Sequence, residues 1–151
     1  MKSLKAVMLV LASFLCLQSF SQAPVPFREP DYKKPKLFAD LPAKMNLKTS
    51  RLEAFFTQPA GATVNTFITD EFLFQGKIVS KANESTHQSV VIRSTNRPGA
   101  TLTFTKTVNA DGTFRYIGRI LSFGNGDAFE VTIENGLYYL QKTNLYDVIN
   151  E

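Results

Sequence analysis

From Thr63 onward apolar and polar positions alternate with period two, in runs at about 63–69, 71–81, 87–94, 100–108, 113–123, 128–134 and 137–143. Such alternation marks strands with one buried face. No helical segment separates the runs, so the chain predicts an antiparallel meander of about seven strands, curled into an open sheet or half-open barrel. The fold class expected is mainly β, with α+β as the variant if the preceding segment is helical.

Turn chemistry predicts the pairing of the last four strands. Asn109 to Thr113 suits a three-residue loop with Gly112 left-handed, which sets Val108 against Phe114, Phe104 against Gly118 and Leu102 against Ile120. All are apolar positions or a glycine beneath an aromatic ring, as one buried face requires. Asn125-Gly126 as a two-residue turn would pair Ile120 with Val131, Ser122 with Phe129 and Arg119 with Thr132. Asn135-Gly136 would pair Ile133 with Tyr138 and Val131 with Leu140. The inner face expected is Leu102, Phe104, Phe114, Ile120, Phe129, Val131, Ile133, Tyr138 and Leu140, extended by Phe72, Phe74, Ile78, Val90 and Ile92.

Residues 37–58 read as one or two short helices. Asp40 precedes Leu41-Pro42 as a cap with proline just inside. Ser50 with Glu53 forms a capping-box pattern, and Leu52, Phe55 and Phe56 share a face before Pro59-Ala60-Gly61. That apolar face is expected to cover part of the outer side of the sheet.

On the outer side the same registers align Thr103, Arg119, Thr132 and Tyr139 in one row, with Ile117 and Leu121 flanking Arg119 and Glu130 diagonal to it. Arginine and tyrosine concentrate at interface hot spots, which makes this row, with Ile117 and Leu121, the candidate interaction face. Thr101, Thr103, Thr105 and Thr107 also alternate, but an ice-binding array needs flat neighbouring strands of the same kind, and here the neighbour carries Arg115 and Arg119.

The N-terminus has a different pattern. Lys2 and Lys5, the apolar run Ala6 to Leu17 and small residues at Ser19 and Ser21 predict a signal peptide over 1–21, cut after Ser21. The apolar run is too short to span a membrane of ~30 Å, and Phe14-Leu15 before Cys16 departs from a lipidation site. Cys16, the sole cysteine, would leave with the signal peptide, so the mature chain has no disulfide or thiol chemistry. Residues 22–36 hold Pro24, Pro26, Pro30 and Pro35 among charges and read as an extended linker; 37–151 is the single β-rich domain. Export without disulfides points to a bacterial periplasm or cell exterior, where the sequon Asn83-Glu84-Ser85 carries no meaning.

The net charge of +4 includes Lys2 and Lys5, so little basic excess remains in the mature chain and no nucleic acid is expected as partner. The early basic residues Arg28, Lys33, Lys34, Lys36, Lys44, Lys48 and Arg51 read as a solvated tether. His87 is the only histidine and is expected at the surface. No HExxH, nucleophile elbow, P-loop or dinucleotide fingerprint occurs. Asp70 and Glu71 are adjacent and would face opposite ways on a strand. No catalytic residue, metal or cofactor is therefore assigned. The function expected is an exported, non-catalytic binding module, accessory or inhibitor-like, whose partner is another exported or cell-surface protein. One alternative is a small-ligand carrier, which needs an unfilled barrel. The other is a hydrolase using carboxylates among Asp70, Glu84, Asp111, Asp127 and Glu130.

Overall fold

The computed structural model describes residues 33–149; the segment expected to be a signal peptide (1–21) and most of the expected linker (22–36) lie outside them. Eight strands form one antiparallel sheet curled into a half-barrel: β1 (Lys44–Asn46), β2 (Thr63–Phe67), β3 (Leu73–Asn83), β4 (His87–Ser94), β5 (Thr101–Val108), β6 (Phe114–Leu121), β7 (Asp127–Glu134) and β8 (Leu137–Asn144). Helix α1 (Thr49–Thr57) joins β1 to β2, and α2 (Leu145–Ile149) follows β8. The spatial order β1-β8-β7-β6-β5-β4-β3-β2 is a meander with β1 added at its far edge.

The seven period-two runs are all strands. β5 and β6 pair as Val108↔Phe114, Phe104↔Gly118 and Leu102↔Ile120, and β7 and β8 as Ile133↔Tyr138 and Val131↔Leu140, in agreement with the turn chemistry. Gly112 has φ +80°, and Asn135 and Gly136 have φ +50° and +77°, the left-handed pair that closes a two-residue hairpin. At Gly118 a Cβ would stand 2.7 Å from the Thr103 carbonyl oxygen and 2.9 Å from the Phe104 ring. Gly118→Val is expected to cost about 1–3 kcal/mol through this overpacking, read as a lower denaturation midpoint in urea.

The β6–β7 register departs from expectation. Ile120 faces Phe129, not Val131, and Arg119 faces Glu130, not Thr132. The connection is the longer loop 122–126, and Gly126 is not left-handed. Pro35 explains why: its carbonyl accepts the Gly126 N–H at 3.0 Å and the Asn125 side chain at 3.2 Å, while Asn125 also receives Ser122 Oγ at 2.7 Å. A slip of two residues preserves the inward set, which is why the apolar pattern could not reveal it.

The segment around Asp40-Leu41-Pro42 is not a helix. It makes turns and then β1, with Met45↔Leu140 and Asn46↔Tyr139 paired. Phe38 is fully buried against Phe129 and Phe72, at centroid distances of 5.1 and 6.1 Å. Asp127 Oδ1 accepts the Leu37 N–H at 2.7 Å and Oδ2 the Phe38 N–H at 2.9 Å. Lys142 Nζ donates to the carbonyls of Phe38 and Leu41, and Arg97 forks onto Asp40. That guanidinium holds the Asp40 carboxyl below its ordinary value. Residues 35–41 thus form a strap closing one end of the half-barrel.

Helix α1 lies on the concave side of the sheet, a correction to its expected place outside. Leu52 and Phe55 are buried and Phe56 stacks on Phe104 at 5.6 Å. The capping box does not form: the N-cap is Lys48, without a side-chain bond, and Glu53 reaches the sheet instead. Consecutive amides tie the two sheet edges together, Leu47 N–H to the Tyr138 carbonyl and Lys48 N–H to that of Ile68, both at 2.9 Å. The helix ends at Gln58, extended ahead of Pro59, and Lys81 Nζ caps the carbonyls of Phe56 and Gln58. Phe114 and Ile133 have the inward parity expected but are 50% and 57% exposed, since they lie beyond the helix that covers the rest. After β8 the chain turns into α2, which packs on β7 and β8 and buries Leu145 and Val148.

Candidate functional site

The convex face carries the candidate residues, and the structure divides them into two groups. On β5 and β6, Thr103 stands opposite Arg119, with Ile117 and Leu121 two residues to either side of Arg119 on the same face. Arg119 is exposed, Ile117 is 49% exposed, and Thr103 and Leu121 are half-buried. These four form one patch. Thr132 and Tyr139 face each other on β7 and β8, further along the sheet and out of the Arg119 row. Tyr139 is half-buried beneath Lys44, whose ammonium lies 4.3 Å from the ring centroid and which pairs with Glu134 at 2.5 Å. Thr132 Oγ1 is buried with no hydrogen-bond partner among the described residues. Glu130, expected diagonal to Arg119, is directly opposite it.

The convex patch extends past the residues singled out from sequence. Lys77 stands opposite Arg93, Arg93 opposite Thr101 and Arg115 opposite Thr107. A bulge between Ile78 and Ser80 shifts β3 by one residue, so Ser80 and Ala82, not Lys81, share the outer side with Val91 and Ser89. Ser89 and Thr105 bond through their hydroxyls at 2.8 Å. Lys77, Arg93, Arg115 and Arg119 are all exposed, and none makes a side-chain hydrogen bond or ion pair with another described residue. Alternation could have placed Arg93 and Arg115 here; Lys77 required the pairing of β3 across its bulge.

The concave side has one polar seam. Glu53 of α1 accepts the Tyr116 hydroxyl and pairs with Lys106 at 3.0 Å, while Lys106 also lies 3.9 Å from the Phe114 ring centroid. Tyr138 completes the seam, its hydroxyl accepting the Tyr116 N–H at 3.2 Å. Burial, with the Glu53 carboxylate adding to it, pushes the Tyr116 phenol far above its ordinary value. Every member is engaged, so the seam locks α1 onto β5 and β6.

The carboxylates considered for hydrolysis stand apart. Asp70 pairs with Lys48 and Arg51, Glu84 with His87, and Asp111 closes its own turn through Thr113. Asp127 is consumed by the strap amides, and Glu130 faces outward. Among the described residues no group of three His, Cys, Asp or Glu is placed to hold a metal ion, and no helix is long and apolar enough to cross a membrane. An open depression lined by Arg51, Thr66, Phe67 and Asp70 has its two charges turned on each other at 3.6 Å. Comparison with protein-family models, with curated proteins and with solved structures gives no match.

Proposed function

We propose that the mature chain is an exported, non-catalytic binding module that works through its convex face. One observation carries the reading: Arg119 stands exposed and unpaired among the described residues, between Ile117 and Leu121 and beside Thr103. A planar donor fork next to solvent-facing apolar side chains is the composition of a hot spot. The carrier alternative is disfavoured by the concave side, which Phe38, Phe55, Phe72, Phe74, Phe104 and Phe129 fill. The hydrolase alternative is disfavoured by the separation and prior engagement of its carboxylates.

The test uses the immobilised mature protein and a fraction of the native cell envelope. Arg119→Ala is expected to weaken retention of the specific ligand by about 1–3 kcal/mol. Its melting temperature should stay where it was, because an exposed side chain away from the core changes stability by about 0.5 kcal/mol or less. Tyr139→Ala, on the separate β7–β8 group, should leave retention intact. Equal retention by the Arg119 variant would sink the reading.

A further inference from the structure

None of the strands β2 to β6 contains an aspartate or glutamate, although the chain holds 13 of them. Among the described residues the acids sit in turns, in α1, in β7 and, as Asp147, in α2, while the five strands carry Lys77, Lys81, Arg93, Lys106, Arg115 and Arg119. The two inward lysines are used, Lys81 on the carbonyls ending α1 and Lys106 on Glu53. The four outward cations make no side-chain hydrogen bond or ion pair with another described residue, although Glu130 on β7 stands across from Arg119.

Two of these cations stand directly opposite each other, Lys77 against Arg93. Like charges across a strand pair are destabilising. A carboxylate at Thr101, which faces Arg93 on the far side, would relieve that repulsion; the position is a threonine. A local rule broken without compensation among the described residues marks a surface shaped for something outside it.

We propose that the convex face of β2–β6 binds an acidic polysaccharide. This rests on the reading of the chain as an exported binding module, and it names the ligand of that same face. Strand spacing of about 4.8 Å and a rise of about 3.4 Å per residue put Lys77 and Arg93 side by side, Arg119 about 12 Å from Arg93, and Arg115 about 13 Å beyond Arg119. A small anion reaches one pair at most; only an extended polyanion meets all four. Three of the four are arginines, whose forks take carboxylate or sulfate groups in two parallel bonds. Thr101, Thr103, Thr105 and Thr107 line the track with hydroxyls suited to sugar hydroxyls, and Val91, Ile117 and Leu121 offer apolar spots for the C–H faces of sugar rings.

Two other polyanions fit less well. Single-stranded nucleic acid is held by stacking on aromatic rings, and the outward positions of β2–β6 offer only Phe67 at one edge and the His87 imidazole at the start of β4. An anionic membrane is flat, and a convex sheet touches a plane along one line, whereas a flexible linear polymer can follow the curve.

The test measures binding of the mature protein to alginate, polygalacturonate and heparin, with neutral dextran, a duplex oligonucleotide and vesicles containing anionic lipid beside them, at about 0.15 M salt. Arg93→Gln/Arg119→Gln is compared with Lys33→Gln/Lys36→Gln, which removes the same charge away from the face. The expected result is binding to at least one acidic polysaccharide, lost roughly tenfold or more in the arginine pair and kept in the lysine pair, with both variants melting like the parent. Equal loss in both variants, or tighter arginine-dependent binding to the oligonucleotide or vesicles, overturns the proposal. No polysaccharide binding while Arg119→Ala still releases an envelope protein discards the ligand and keeps the module. No effect of the arginine pair on any retained species discards both.

Discussion

Phe38→Ala is expected to destabilise the domain by about 3–5 kcal/mol, a fall in melting temperature of more than about 10 °C. The ring is fully buried, tilted against Phe129 and Phe72, and its own backbone is held at both ends, by Asp127 at the N–H and by Lys142 at the carbonyl. Truncation would leave a cavity at the end of the half-barrel that the strap closes, and the fixed backbone cannot collapse to fill it. Phe123→Ala is the control. That ring is 68% exposed in the β6–β7 loop, and its loss should shift stability by about 0.5 kcal/mol or less. Thermal melts of the two variants decide the matter; similar midpoints would show that the strap is a passive covering.

Asp127→Ala is expected to be nearly as costly, about 2–5 kcal/mol, by a different mechanism. Asp127 is 2% exposed and its two oxygens each accept one strap amide, so alanine strands the buried Phe38 donor and the part-buried Leu37 donor, at about 1–3 kcal/mol each with the second toward the low end. Asp127→Asn keeps one carbonyl acceptor and should fall between alanine and the parent. The local signature is faster hydrogen exchange at the Leu37 and Phe38 amides and quicker tryptic cleavage after Lys36. Unchanged exchange at those amides in the alanine variant would refute the assignment of Asp127 as the strap's anchor.

What the chain declares by itself is short-range. Alternation located seven strands, because each strand buries one face and the side-chain period is two. Turn residues set the β5–β6 and β7–β8 registers, because left-handed positions at Gly112 and at Asn135-Gly136 have few solutions. The same alternation put Thr103, Ile117, Arg119 and Leu121 on one surface, and the lack of acids from β2 to β6 can be read from the letters alone.

What only the tertiary structure decided involves partners distant in sequence. Pro35 and Asn125 meet across 90 positions and reshape the β6–β7 loop, which moved Thr132 and Tyr139 out of the Arg119 row. β1 exists because β8 offers Met45 and Asn46 a ladder, overriding the proline-led helix expected there. Glu53 left its capping box because Lys106 and the Tyr116 hydroxyl on the concave sheet bind it better than a solvated helix terminus can. Phe38 stands in a proline-flanked, charged stretch with no periodicity, so nothing local marks it as core; Asp127, some 89 residues away, holds it there. Local pattern specifies which face of each strand is inward, and long-range hydrogen bonds specify what closes over it.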